Sequence, residues 1–259
     1  MKLRSAALTL MMLSLLGAGA CKPQATEQEA ATPATSADAA AAQAPSAEAA
    51  ATPAEAPMAQ AGPAKYRVEF LPLWTKGVFP FEYPDTSLIH KPHFSGLIGT
   101  AHNANYHLFA EGQMPTPGLE RLSEEGKHDP LDSEIKAAIA AGNALALSES
   151  DPLKDFSQTA ITEVAVDDAH PMVSLVAMIA PSPDWFAGVS DVNLMENGAW
   201  VPSKIVNVMA WDSGGDDGTT YLADDKDTNP KKATSLNRSP HFLKDGNPMP
   251  VARIVFTRL

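Results

Sequence analysis

The chain predicts a mostly β globular domain beginning near residue 65, with one or two short helices in its connections, preceded by a segment unable to build a core. Three observations carry this. Downstream of Tyr66, short runs rich in Val, Ile and aromatic residues alternate with clusters of Gly, Pro, Asn and Asp, the pattern of strands and turns. All four tryptophans and all seven histidines lie in that part of the chain. Clear helical periodicity is confined to two short stretches.

The elements follow in order. Tyr66 to Trp74 alternates loosely and Ile161 to Val166 reads as a strand. Met172 to Ala180 is a continuous apolar run, which suits a strand buried on both faces. Val192 to Met195, Lys204 to Ala210 and Val251 to Arg258 are further strands. Asp132-Ser133-Glu134 opens a helix in which Ile135, Ala138 and Ile139 share a face, with Asp132 as its N-cap and Gly142-Asn143 as its stop. A shorter helix is expected over Gly118 to Glu125.

The first 20 residues form no part of this fold. Lys2 and Arg4 make a basic start, Ala7 to Leu16 is apolar but too short to span a bilayer, and Gly17-Ala18-Gly19-Ala20 leads into Cys21. This arrangement is similar to a bacterial secretory signal ending in a lipobox, although Ala18 stands where leucine is usual. Cys21 is then expected to become a lipidated N-terminus that anchors the protein to a membrane. Lys22 follows it where an aspartate would signal inner-membrane retention, so by resemblance to Gram-negative lipoproteins the outer membrane is expected. Residues 21–64 carry repeated prolines and no aromatic residue. They bury too little apolar surface to offset the entropy of ordering and read as a disordered tether, reaching about 140 Å at roughly 3.3 Å per residue.

Composition excludes several classes. Cys21 is the sole cysteine, so no intramolecular disulfide or cysteine metal cluster can form. The net charge of −12 argues against nucleic acid as a partner.

Two acidic loops remain as the informative feature: Pro181-Ser182-Pro183-Asp184-Trp185-Phe186 and Trp211-Asp212-Ser213-Gly214-Gly215-Asp216-Asp217-Gly218. Each follows an apolar run, so their carboxylates fall at strand ends, where oxygens can converge on a hard cation such as calcium. The plain alternative is a pair of solvated turns. An EF-hand is excluded, because Asp217 occupies the position where that loop needs glycine.

These two loops, together with Leu97-Ile98-Gly99-Thr100-Ala101-His102-Asn103-Ala104-Asn105-Tyr106, Gly118 to Leu122 and the closing run Pro250 to Leu259, resemble the spondin N-terminal domain family. The resemblance covers residues 66–259. It implies an antiparallel β-sandwich similar to calcium-dependent lipid-binding domains, one bound Ca2+, an adhesive or recognition role and no catalysis. Residue by residue it implies Asp184 and Asp212 as metal ligands. The family's third carboxylate falls on Glu163 if the turn Asp167-Asp168-Ala169 is two residues longer than usual, and otherwise on Ala165. Asp216 and Asp217 are expected to be turn formers.

Other constellations carry less. His90, His93, His102 and His107 lie close in sequence, but no His-Glu-x-x-His spacing accompanies them. Ser182 and Ser213 lack a Gly-x-Ser-x-Gly elbow, which disfavours a serine nucleophile; a metal-dependent hydrolase is the less expected alternative. Trp185, Phe186 and Trp200 are either core or a lipid-inserting or glycan-stacking tip. Glu124, Glu125 and Asp224 to Asp227 read as solvated turns. The expected protein is a lipid-anchored envelope module with a glycan, matrix or protein ligand; a membrane-apposing or purely structural module remains the alternative.

Overall fold

The structure is a computed structural model and describes residues 61–85, 91–153 and 158–259. The expected signal segment, Cys21, most of the tether and His90 lie outside the described residues. Eight main strands run in chain order: β1 Ala64–Pro72, β2 Ile98–His102, β3 Ala144–Glu149, β4 Ala160–Val166, β5 Met172–Ala180, β6 Trp185–Asn193, β7 Ser203–Asp212 and β8 Ala252–Arg258. Helices α1 Pro117–Glu125 and α2 Leu131–Ala140 lie between β2 and β3. None of the described helices is long and apolar enough to cross a membrane.

The strands pair in the order β3-β2-β5-β6-β7-β8-β1-β4, and every pairing is antiparallel. The long strand β7 belongs to two sheets: Ser203 to Val208 pair with β8, whereas Met209 to Asp212 pair with β6. A strand that changes partners midway folds one sheet over the other. The main core fills the space between them, with Tyr66, Val68 and Phe70 of β1 and Ile254 and Phe256 of β8 meeting Val173, Leu175, Ala177 and Ile179 of β5. At the far edge Thr162 Oγ1 of β4 donates to the Glu149 carbonyl of β3 at 2.7 Å, so the two sheet edges nearly close. The expected all-β sandwich with short helices is what forms.

The two sheets differ in their outer faces. β1 alternates, sending Lys65, Arg67 and Glu69 outward, where Lys65 pairs with Glu163 and Arg67 with Glu69. The outer face of β2, β5 and β6 is covered instead by the helices: Ile98, Val176 and Phe186 form a second core with Leu119, Leu122, Leu131 and Ile135. This second layer explains why β5 reads as an unbroken apolar run.

Helix boundaries follow local chemistry. Thr116 caps α1 by accepting from the Leu119 N–H at 3.1 Å, and Pro117 occupies the first turn where its missing N–H costs nothing. α2 departs from expectation: it begins at Leu131, and Asp132 is not its cap but sits in the first turn paired with Lys136 at 2.6 Å. Its end is as expected. Gly142 at φ +74° and Asn143 donate to Ile139 and Ala138, a Schellman closure.

Other corrections concern strands. Of the run expected over Val192 to Met195, Val192 and Asn193 are the tail of β6, which starts at Trp185, and Met195 opens a separate short ladder with Trp200. β2 and β3 were not anticipated as strands. Trp185, Phe186 and Trp200 are 2%, 0% and 4% exposed, which removes the aromatic-tip reading. Trp185 belongs to the inter-sheet core and Phe186 to the helix-side core, since neighbours on a strand face opposite ways. Phe186→Ala is therefore expected to cost about 3–5 kcal/mol in equilibrium denaturation, and a loss below about 1 kcal/mol would contradict this placement.

Candidate metal site

The corner between β5 and β6 is shaped by Ser182, whose hydroxyl donates to the Ile179 carbonyl and accepts from the Trp185 N–H at 3.2 Å. That turn delivers Asp184, completely buried, to the end of the sandwich where β7 finishes. Asp212 is the last residue of β7 and stands opposite Trp185 in register, so strand pairing itself brings the two aspartates into one neighbourhood.

Asp184 is held by the loop that follows β7. Its Oδ2 accepts from the Ser213 hydroxyl and the Gly214 and Gly215 N–H groups at 2.8 Å, and from the Asp216 N–H at 3.2 Å. Successive backbone N–H groups converging on one oxygen form an anion-holding nest. The loop can curl this way because Gly214 takes φ +89°, with the Lys232 carbonyl only 2.3 Å from where a Cβ would stand. Asp184 Oδ1, by contrast, is buried and has no hydrogen-bond partner.

The electrostatics match this asymmetry. Burial pushes the Asp184 carboxyl above its ordinary range, against the opposing pull of its Ser213 and backbone hydrogen bonds. Burial, then the nearby Asp184 charge, pushes Asp212 up to about 6, while the Gly214 N–H, Lys232 and a Trp185 side-chain hydrogen bond pull the other way. Two carboxylates in one poorly solvated place favour protonation or a cation.

Asp216 forms a turn as expected, but a buried one. It is 6% exposed, and its carboxylate accepts from the Gly218 and Lys226 N–H groups, fastening the loop to the segment after Leu222. Asp217 is the surface member, paired with Lys232 at 2.6 Å, and that hydrogen bond holds its carboxyl below the usual range.

Glu124 also differs from expectation. It lies in the last turn of α1, not in a solvated turn, and its Oε1 is 2.8 Å from where a Cβ on Gly215 would be. Burial, then Glu120 and Asp184, push it up to about 7. Glu120 and Glu124 are four residues apart, on one side of the helix; that spacing beside the buried Leu119 and Leu122 was the available signal.

Glu163 does not join this group. It stands in mid β4 opposite Arg67, with β1 and β8 between its strand and β7, and pairs with Lys65 at 2.8 Å in an exposed ion pair. Ala165, the alternative position, is a neighbour on the same strand. Among the described residues no three His, Cys, Asp or Glu side chains form a ready-made ligand set. The donors that fit a hard cation are thus Asp184 and Asp212, with the unpartnered Asp184 Oδ1 as the specific point of fit.

The histidines are spoken for individually. His102 is buried, with Nδ1 2.9 Å from the Asn103 carbonyl and Nε2 2.7 Å from Ser174 Oγ. His107 pairs with Asp191 at 2.8 Å, and His93 Nδ1 lies 2.7 Å from the Lys91 carbonyl.

Known proteins resemble this chain in sequence. The Spondin_N family matches residues 64–248. Spondin-2 of Homo sapiens is 30% identical over 208 residues, covering 76% of this chain and 62% of that protein. Spondin-1 of Xenopus laevis is 30% identical over 207 residues, covering 76% of this chain and 25% of that protein. The chain therefore spans about a quarter of spondin-1 and less than two thirds of spondin-2. With the match running from the first strand to beyond both acidic loops, the chain belongs to the Spondin_N family.

Proposed function

We propose that this protein is a calcium-binding recognition module, held at the outer membrane of a bacterial envelope through lipid on Cys21, that serves adhesion and does no catalysis. The observation that carries the calcium reading is Asp184: a fully buried carboxylate with one oxygen saturated by a backbone nest and the other unpartnered, beside a second carboxylate pushed up to about 6. Adhesion is the role the spondin resemblance implies. The anchor rests on the lipobox-like run into Cys21 and the proline-rich tether that follows it.

Asp184 and Asp212 would hold the ion. Calcium takes about 6–8 oxygens without strict geometry, so carbonyl and water oxygens complete a shell begun by two carboxylates. When bound it supplies positive charge between two groups that otherwise repel. The chain's own contribution is orientation: the Ser182 turn fixes where Asp184 enters, and the loop N–H groups fix how its carboxylate is turned.

Calcium is expected to raise the melting temperature of the full chain at pH 7.5, and Asp184→Ala or Asp212→Ala to remove that response. Identical melting curves in calcium and in chelator would sink the reading. Asp184→Ala also strips the loop of its anchor, so Asp212→Asn is the cleaner variant. It removes a buried charge and should stabilise the calcium-free protein at pH 7.5 by on the order of 1–3 kcal/mol, at about 1.4 kcal/mol per pKa unit, while abolishing the calcium response.

The pH dependence has a definite sign. Asp212 titrates at about 6 in the fold against an ordinary 3.8, and Glu124 at about 7 against 4.5. A raised carboxyl stabilises the fold fully below its unfolded pKa, and that contribution is lost as pH rises through the folded value. In chelator these groups therefore make the protein less stable between about pH 4 and 7 as pH increases. Calcium reverses the trend by favouring the ionised forms, so its effect on melting should be largest at pH 7.5 and shrink towards pH 5. A calcium shift that grows on acidification would contradict the assignment.

A further inference from the structure

Asp212 also borders a pocket of about 200 Å³, formed with Thr219, Ser235, Asn237, Arg238 and Ser239 against the Trp185 ring. Asn237 is 5% exposed, and its position is fixed twice: its backbone N–H donates to the Ala210 carbonyl at 3.0 Å, and its Oδ1 accepts from the Ser239 N–H at 3.0 Å. The second bond settles which way the amide is turned, because the reverse orientation would set NH2 against N–H. Its Nδ2 is left buried with no partner. Such a donor is costly to leave unmade, and the residue that carries it lines the cavity.

Arg238 supplies the second feature. It is exposed, and among the described residues its guanidinium makes no ion pair or hydrogen bond. In a chain of net charge −12, an arginine without a carboxylate partner at the mouth of a pocket is a free anion-binding fork. Asp212 would repel an anion there unless its own charge were neutralised, which ties occupancy of the pocket to occupancy of the cation site.

We infer that this pocket binds the carboxylate of a uronic acid, the acidic unit of a polysaccharide, with Asn237 Nδ2 and Arg238 as its donors and calcium at Asp212 as the condition for binding. Two exposed hydroxyl residues, Thr219 and Ser235, offer donors and acceptors to the sugar hydroxyls. An acidic protein side chain would use Arg238 and Asn237 but leave the hydroxyl rim idle. The small volume suits one sugar unit, below the roughly 300 Å³ at which drug-sized pockets begin. The inference rests on the calcium reading and names the ligand class of that same end of the fold.

Isothermal titration of the full chain at pH 7.5 tests it in two stages, calcium first and then D-glucuronate at saturating calcium. Glucuronate should bind at least tenfold more tightly than glucose, and chelator should abolish binding. Arg238→Ala should weaken glucuronate at least tenfold while leaving calcium affinity unchanged. Arg238 is exposed, so its replacement does not threaten the fold. Calcium binding without glucuronate preference would overturn the pocket and leave the calcium reading standing. Glucuronate binding that persists in chelator would overturn the calcium dependence. N-acetylaspartate binding as tightly as glucuronate would overturn the sugar assignment.

Discussion

Asp184 does two jobs with one carboxylate, and the end of the sandwich is built around them. One oxygen gathers four donors from Ser213, Gly214, Gly215 and Asp216, so the loop after β7 is folded onto the corner before β6. Without that oxygen those buried N–H groups would have nowhere to go. Further layers depend on the same contact: Asp216 reaches the Gly218 and Lys226 N–H groups, and Asp217 ties Thr228 and Lys232 at the surface. The other oxygen of Asp184 is buried without a partner, an arrangement that costs stability until something positive or protonated meets it.

The surroundings sharpen this demand. α1 lays Glu124 against Gly215, and Glu120 beside it is partnered by Lys231. Exposed pairs such as Lys65–Glu163 lie elsewhere and contribute little, whereas the carboxylates at this end are poorly solvated and feel one another. The fold thus concentrates its electrostatic cost where strand ends and one helix converge. Strand β7 makes this possible, because its first half serves one sheet and its last four residues, ending in Asp212, serve the other.

Much of this was legible in the sequence, for reasons that differ by element. β5 was read with its observed bounds because helices on one side and the opposite sheet on the other require apolar residues throughout. β1 and β8 alternate because one face meets water. β6 was misread at its start because Trp185 and Phe186 enter different cores, so no alternation announces the strand. Asp184 and Asp212 stand out through the spondin resemblance, as the aspartate before a tryptophan and the aspartate opening the glycine-rich loop, and strand register sets Asp212 opposite Trp185. Glu163 was reached by counting along the chain, and counting preserves strand parity without saying which strand neighbours which; its face of β4 is the one Lys65 shares with solvent. Glu124 and Asp216 read as turn residues in the sequence because their burial comes from tertiary packing.

The most direct test of the central claim is calorimetric titration of calcium into the full chain at pH 7.5, beside the Asp212→Asn variant. One equivalent bound by the native protein and none by the variant is the predicted result. Absence of binding to the native protein, or equal binding by both, would contradict a calcium centre built on Asp184 and Asp212.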